Sequence, residues 1–154
     1  MNEVLDKPQI RKNIMMLEAK MRQRPDVIIG DSPLFPLKHN FADGVYVREI
    51  FIPKGSLIVG KIHKHSHPNF LMKGDVSVLT EEGPKRLKAP LSMISPAGTK
   101  RVVYAHEDTV WITIHVTNKK NLKKIEKEII AKNYAELPGA ENKILDFVNQ
   151  VKEK

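Results

Sequence analysis

The chain has 154 residues, 41% of them hydrophobic, which is enough for one globular domain with its own core. It contains no cysteine, which excludes disulfides, thiolate metal sites and cysteine nucleophiles. The net charge of +8 would suit a nucleic-acid ligand. However, the lysines after residue 118 are interspersed with apolar residues at helical spacing, which is typical of a solvated helix face, and no basic strand is rich in aromatic residues. We therefore expect no nucleic-acid partner.

The N-terminal segment is predicted to form an amphipathic helix. Pro8 suits the first helical turn, and Ile10, Ile14, Leu17 and Met21 recur at intervals of four, three and four residues. The helix should end before Pro25, and the three prolines and two glycines of residues 25–44 predict an irregular arm. Without an apolar signal segment or a run of about 18 apolar residues, the chain is expected to be cytoplasmic, with no membrane partner.

A series of short strands follows the arm. They are rich in Val, Ile, Thr and aromatic residues and are separated by turn signals such as Pro53-Lys54-Gly55 and Glu81-Glu82-Gly83. Strands at this spacing are typical of a closed or sandwiched all-β core. The eight predicted strands are residues 45–52, 56–63, 69–72, 75–80, 85–87, 91–94, 100–104 and 109–117.

Helical periodicity returns after the strands. Leu122, Ile125 and Ile129 predict one helix, which the Pro138-Gly139 pair ends. Apolar residues then recur at helical spacing and predict a second helix, through Ile144, Leu145, Val148 and Val151.

Five of the six histidines lie between residues 63 and 115. His63, His65 and His67 occupy alternate positions of an extended segment, so their side chains can point the same way. We expect His63 and His67 to bind a divalent transition metal (Zn, Fe, Mn or Ni), with His106 or His115 as a third ligand. His65 should line the site only if the strand is regular, because a turn before Pro68 would direct it to solvent. His106 opens a predicted turn, and its alternative is a solvent-facing loop position.

The last predicted strand separates polar from apolar positions. Trp111, Thr113 and His115 share one face, whereas the residues between them are uniformly apolar. We therefore expect Trp111 and His115 to line a pocket. The alternative for His115 is a core histidine bonded to backbone. Tyr104 is a further candidate as a phenol donor, with core packing as its alternative.

Two adjacent charges, Arg48 and Glu49, lie on the first predicted strand and must point to opposite faces. One of them therefore faces the apolar side, where an unpaired charge is costly. We assign Glu49 to the site, paired with Lys61 or Arg101.

The turn framework resembles the cupin superfamily. The first cupin motif runs Gly, five residues, His-x-His, three or four residues, Glu, six residues, Gly. When its last glycine is Gly74, Gly55 matches the opening glycine, Lys61 and His63 occupy the two histidine positions, and His67 occupies the glutamate position.

The second cupin motif, Pro-x-Gly-x-x-His-x-x-x-Asn, is matched by Pro96 and Gly98, with Arg101 and Ala105 at the His and Asn positions. The resemblance implies an all-β jelly-roll barrel at residues 41–117. The periodicity of the flanking segments adds an N-terminal helix and arm at 1–40 and two C-terminal helices at 118–154. Stretches such as GVYVREIFIPKGS and HEDTVWITIH are similar to small single-domain cupins encoded by tailed bacteriophages.

Two functions remain open for such a barrel. Lys61 and Arg101 would repel a cation and attract a phosphate or carboxylate. The favoured function is metal-dependent chemistry on a small anionic metabolite or nucleotide, with His65, Glu49, Tyr104, Trp111 and His115 as further binding residues. The alternative is a module that binds an anionic molecule or nucleotide without converting it. A match of His115-Val116-Thr117 to the His-x-Thr motif of two-histidine phosphoesterases lacks the second copy those enzymes need.

A homodimer is expected, with the apolar stripe of the N-terminal helix at the interface. The alternative is that this helix packs on its own barrel.

Overall fold

A computed structural model describes residues 6–137, so the predicted helix through Ile144 and Val151 lies outside the described residues. Helix α1 (Lys7–Arg22) begins where predicted: the Asp6 carboxylate accepts a hydrogen bond from the Gln9 backbone N–H at 3.0 Å. Helix α2 (Leu122–Ile129) begins in the same way, because the Asn121 side chain accepts from the Lys124 N–H.

Eleven strands lie within the described residues, and a short 3₁₀ helix (Tyr134–Glu136) follows the last of them. They are β1 (Leu37–Ala42), β2 (Val45–Ile52), β3 (Leu57–Val59), β4 (Ile62–His63), β5 (His67–Lys73), β6 (Asp75–Thr80), β7 (Gly83–Lys88), β8 (Leu91–Ser95), β9 (Val102–Ala105), β10 (Thr109–Val116) and β11 (Ile130–Ala131).

The strands form two packed antiparallel sheets. One has five strands in the order β1-β2-β10-β5-β8, the other has four in the order β3-β9-β6-β7, and β4 pairs with β11 beside them. The central apolar cluster takes residues from both sheets, so the two sheets enclose one core. Its buried members are Ile52, Leu71, Val76, Val78, Val103, Ala105 and Trp111. The predicted all-β jelly-roll core is confirmed.

A glycine fixes the tight turn between β5 and β6. Gly74 has a φ of +117°, and a Cβ added there would overlap the side chain and backbone of Thr109. The turn therefore requires glycine at the position that ends the first motif.

Helix α1 packs on its own barrel. Ile10 and Ile14 are buried in a cluster with Val102, and Lys100, a largely buried side chain, is ion-paired with Glu18 of the helix at 3.0 Å. The apolar stripe that we expected at a dimer interface is thus covered within the chain, as in the alternative. No helix within residues 6–137 is long and apolar enough to cross a membrane.

Candidate functional site

Three histidine rings meet at one end of the barrel. His63 comes from β4, His67 from the start of β5 and His115 from β10. Their ring centroids are separated by 4.3 Å (His63 to His67), 4.9 Å (His67 to His115) and 5.5 Å (His63 to His115). We call these residues the histidine cluster.

Backbone pairing explains how the cluster forms. The His63 N–H donates to the Thr99 carbonyl at 3.1 Å, and the Gly98 N–H donates to the His63 carbonyl at 2.8 Å. Strand β4 therefore lies beside the Pro96–Gly98 turn of the second motif. His67 and His115 reach the same place because β5 and β10 are neighbours in the five-stranded sheet.

Burial keeps the three imidazoles neutral. It lowers the pKa of His63 from 6.5 to about 2 and that of His115 to about 4, and in both cases the repulsion that a protonated His67 would exert is the second cause. Burial also lowers the pKa of His67. At neutral pH each ring thus has one unprotonated nitrogen with a free lone pair.

Hydrogen bonds leave two of these ring nitrogens without partners. His67 Nδ1 lies 3.1 Å from the His65 carbonyl, which can only accept, so Nδ1 carries the proton and Nε2 the lone pair. Within residues 6–137, His67 Nε2 and His63 Nδ1 are buried and have no hydrogen-bond partner. A carbonyl bonded to the opposite ring nitrogen is the usual support for a metal-binding histidine.

The histidine cluster offers nitrogen donors of the kind that bind transition metals, but its rings are not oriented to share one ion. In the described part of the chain, no three His, Cys, Asp or Glu side chains are already arranged to hold an ion. The rings of His63 and His115 are nearly parallel, at 4°, whereas a metal lies in the plane of every imidazole that binds it. One ring must therefore rotate before all three can bind the same ion.

Two guanidinium groups accompany the cluster. Arg101 Nη1 donates to the Ser95 hydroxyl at 2.5 Å, and its guanidinium lies 5.1 Å from the centroid of the Trp111 ring. Arg48 pairs with Thr113 across β2 and β10. Burial and the charge of Arg48 lower the pKa of Arg101 to about 10. Neither arginine has an acidic partner within residues 6–137, so the interior carries unbalanced positive charge.

A buried polar network supports the site. Asn69 is fully buried; its carbonyl oxygen accepts from Trp111 Nε1 at 3.0 Å, and its amide donates to the Ser95 hydroxyl at 2.8 Å. The neighbouring Thr113 hydroxyl is buried and has no hydrogen-bond partner among the described residues. The network therefore holds Trp111 and Ser95 against Arg101 and leaves one free hydroxyl on the same face.

Two cavities lie away from the cluster. One, of about 290 Å³, is lined by residues 41–44 and 117–120; the other, of about 310 Å³, is lined by residues 31–33, 35–37 and His39. The chemistry-bearing residues and these openings are thus in different places. We place the site at the histidine cluster because the unpartnered polar atoms are there.

No protein-family model and no curated protein matches the sequence, but solved structures resemble the fold. Ectoine synthase from P. lautus superimposes with a TM-score of 0.52 at 10% identity, over 71% of this chain and 81% of that one. KdgF from Halomonas sp. gives 0.47 at 17% identity, over 56% and 82%. A cupin domain from Bordetella pertussis gives 0.44 at 20% identity, over 58% and 99%.

The chain thus shares the fold of ectoine synthase from P. lautus. Within the barrel, the first-motif residues His63 and His67 and the second-motif residue Arg101 lie on the inside together. Lys61, at the remaining histidine position, does not: its side chain is 61% exposed and ion-paired with Glu126 of α2. His115, from β10, joins the motif residues instead.

Glu49 also lies outside the barrel. It points away from the core and is ion-paired with Lys38 of β1 at 3.3 Å. Arg48 is the inward member of the two adjacent charges, the reverse of our assignment. The alternation of side chains along β2 requires one of the two charges to point inward but does not say which. The side chains that neighbour each face of the strand decide between them.

His65 and His106 are not part of the histidine cluster. His65 is exposed, in the non-strand segment between β4 and β5. His106 Nε2 lies 2.7 Å from the Ser77 hydroxyl, and its ring contacts Tyr104, which is 41% exposed on β9. The structure therefore gives no support to His106 as a metal ligand or to Tyr104 as a barrel donor.

Trp111 and His115 face inward, as their shared strand face indicates. Sequence reasoning did not assign Arg48, Asn69 and Thr113 to the site. Thr113 lies between Trp111 and His115 on the same face, which is a signal that would have found it.

Proposed function

We propose that this cupin binds a divalent transition metal (Zn, Fe, Mn or Ni) with His63, His67 and His115 and uses it in chemistry on a small anionic molecule. The observation that carries the proposal is the pair of buried, unpartnered ring nitrogens within a cluster of three neutral imidazoles. A bound ion would supply a Lewis acid that polarises an oxygen of the substrate.

The protein's own residues would bind and orient the anion. Arg48 and Arg101 present guanidinium groups that match the geometry of a carboxylate or a phosphate, including the phosphate of a nucleotide. Arg101 is held by Ser95 and the face of Trp111, so little ordering would be needed when the anion binds. The free Thr113 hydroxyl can donate one more hydrogen bond to the anion.

Metal content and thermal stability test the proposal. Protein purified without chelator should contain about one transition metal per chain. After chelation, added Zn²⁺, Mn²⁺ or Ni²⁺ at one hundred times its Kd should stabilise the fold by about 2.7 kcal/mol, which raises Tm by roughly 5–10 °C.

Two matched variants localise the effect. His115→Ala should abolish the rise in Tm, and His106→Ala should leave it unchanged, because His106 bonds to Ser77 away from the cluster. Chelator-free protein that holds no metal and gains no stability from any of the ions would contradict the proposal.

A second candidate is a binding module that holds the anion unchanged. It is favoured by the two unpaired arginines and by the absence of any buried aspartate or glutamate among residues 6–137 that could move a proton. Mass spectrometry of the small molecules released by heating the purified protein distinguishes the two. The binding module predicts that a recovered ligand, when incubated again with fresh protein, stays unchanged; the metal-dependent function predicts a new product.

A further inference from the structure

Helix α1 presents one carboxylate on the face that meets the barrel. Ile10, Ile14 and Glu18 recur every four residues, so they share this face. The two isoleucines are buried, whereas the Glu18 carboxylate accepts hydrogen bonds from the Lys100 ammonium at 3.0 and 3.1 Å. The Lys100 side chain is only 6% exposed, and Glu18 is its only ion-pair partner within residues 6–137. Because an unpaired buried charge is costly, this pair fixes where Lys100 lies.

Lys100 lies in the segment that joins the two halves of the proposed site. The next residue, Arg101, carries one of the two guanidinium groups, and the carbonyl of the preceding Thr99 accepts from the His63 N–H at 3.1 Å. The Arg101 carbonyl accepts from the Gly60 N–H at 2.8 Å, so both neighbours of Lys100 are bonded to the chain that leads into His63. A displacement of Lys100 would therefore move a proposed metal ligand and a proposed anion-binding arginine together.

Other contacts anchor α1 independently of this ion pair. Arg11, two turns before Glu18, is ion-paired with Glu81 in the turn after β6. Ile14, which is 1% exposed, packs in one cluster with Val102 of β9. The helix is thus fixed to the barrel by its other side chains, so its carboxylate can support the ammonium that it binds.

We propose that Glu18 is a positioning residue, which acts through Lys100 to hold Arg101 and His63 in the geometry that binds the anion and the metal. The proposal rests on the proposed function for its two ligands, but the contacts that it invokes exist without them. Groups that orient a metal ligand from outside the coordination shell typically change metal affinity by about 10–100-fold. The affinity of the site would then depend on a helix that lies outside the barrel.

Calorimetric titration of metal-free protein with Zn²⁺, and separately with malonate, tests the proposal. Glu18→Gln keeps the size of the side chain but removes its charge, and it should raise both dissociation constants by about tenfold. Glu18→Leu combined with Lys100→Met, the apolar double variant, should do the same and keep its fold, since apolar residues often replace a buried ion pair without loss of stability. Glu82→Gln is the matched control: it breaks the exposed Lys7–Glu82 pair of the same helix and should leave both constants unchanged.

The fluorescence of Trp111 supplies a readout that needs no ligand. Trp111 is the only tryptophan of the chain, and the Arg101 guanidinium lies 5.1 Å from the centroid of its ring. A displaced Arg101 changes the electrostatic surroundings of the indole. Glu18→Gln and the apolar double variant should therefore shift the emission maximum of the ligand-free protein, and Glu82→Gln should not.

Dissociation constants that stay at their wild-type values in the apolar double variant overturn the proposal, whether or not Glu18→Gln folds. So does an emission maximum that Glu82→Gln shifts as far as the Glu18 variants do, or one that no variant shifts. A wild-type protein that binds neither Zn²⁺ nor malonate contradicts the proposed function instead. In that case, an emission shift confined to the Glu18 variants would still support the role of Glu18 in positioning Arg101.

Discussion

Replacing Arg101 with methionine should stabilise the metal-free protein, although Arg101 lies in the proposed site. Burial and the charge of Arg48 lower the pKa of this guanidinium from 12.5 to about 10. One pKa unit corresponds to about 1.4 kcal/mol, so keeping the charge inside the barrel costs the fold about 3 kcal/mol.

The variant also loses favourable contacts, which reduces the gain. The hydrogen bond to Ser95 and the contact with the Trp111 ring contribute about 1 kcal/mol each. Methionine retains the apolar stem, so we expect Arg101→Met to raise the free energy of unfolding by about 1 kcal/mol.

Urea denaturation of chelator-treated protein at pH 7 measures this difference. Arg86→Met is the control: Arg86 is half-exposed and paired with Asp75, so its loss should cost at most about 1 kcal/mol. Arg101→Met should also lose any rise in Tm that phosphate or malonate gives the wild-type protein. A decrease of 1 kcal/mol or more in the stability of Arg101→Met would refute the view that Arg101 is retained for binding at a cost to the fold.

Two further predictions concern the buried network and the imidazoles. Asn69→Ala should lower the free energy of unfolding by about 3 kcal/mol, because it leaves the buried Trp111 indole N–H without a hydrogen-bond acceptor. In the same urea titration, Asn40→Ala on the exposed side of β1 should change the free energy of unfolding by less than about 0.5 kcal/mol. Metal-free protein should lose stability as the pH falls from 6.5 to 5, because the unfolded imidazoles take up protons near pH 6.5 while His63 and His115 stay neutral in the fold. The loss for each histidine is about 0.7 kcal/mol per pH unit at pH 6.5 and approaches about 1.4 kcal/mol per pH unit near pH 5. Urea midpoints across this range that are independent of pH would contradict the neutral cluster.

The sequence was sufficient for most of the fold because turns and strands have local causes. Val45–Ile52 and Asp75–Thr80 are strands with the predicted bounds, and Gly74 explains why a turn must separate the second of them from β5. Strand β1 does not follow from the sequence pattern, because residues 37–42 have no apolar alternation and lie in the predicted irregular arm. The Asp43-Gly44 pair between β1 and β2 is a hairpin signal that would have indicated it.

The site was only half predictable because it depends on contacts between distant segments. His63, His67 and Arg101 follow from motif spacing, and His115 from strand parity. Lys61 does not face the barrel because β4 begins only at Ile62, so Lys61 precedes the strand, and its exposed side chain is ion-paired with Glu126 of α2. The choice between Arg48 and Glu49 depends on Lys38, whose strand had not been predicted.

X-ray absorption at the metal edge tests the central claim most directly. Protein loaded with one equivalent of Zn²⁺ should show scattering from three imidazole rings, with Zn–N distances of about 2.0–2.1 Å. In His115→Gln the signal should fall to two imidazoles, and in His106→Gln it should stay at three. A spectrum without imidazole scattering, or one that His115→Gln leaves unchanged, would contradict a metal site at His63, His67 and His115.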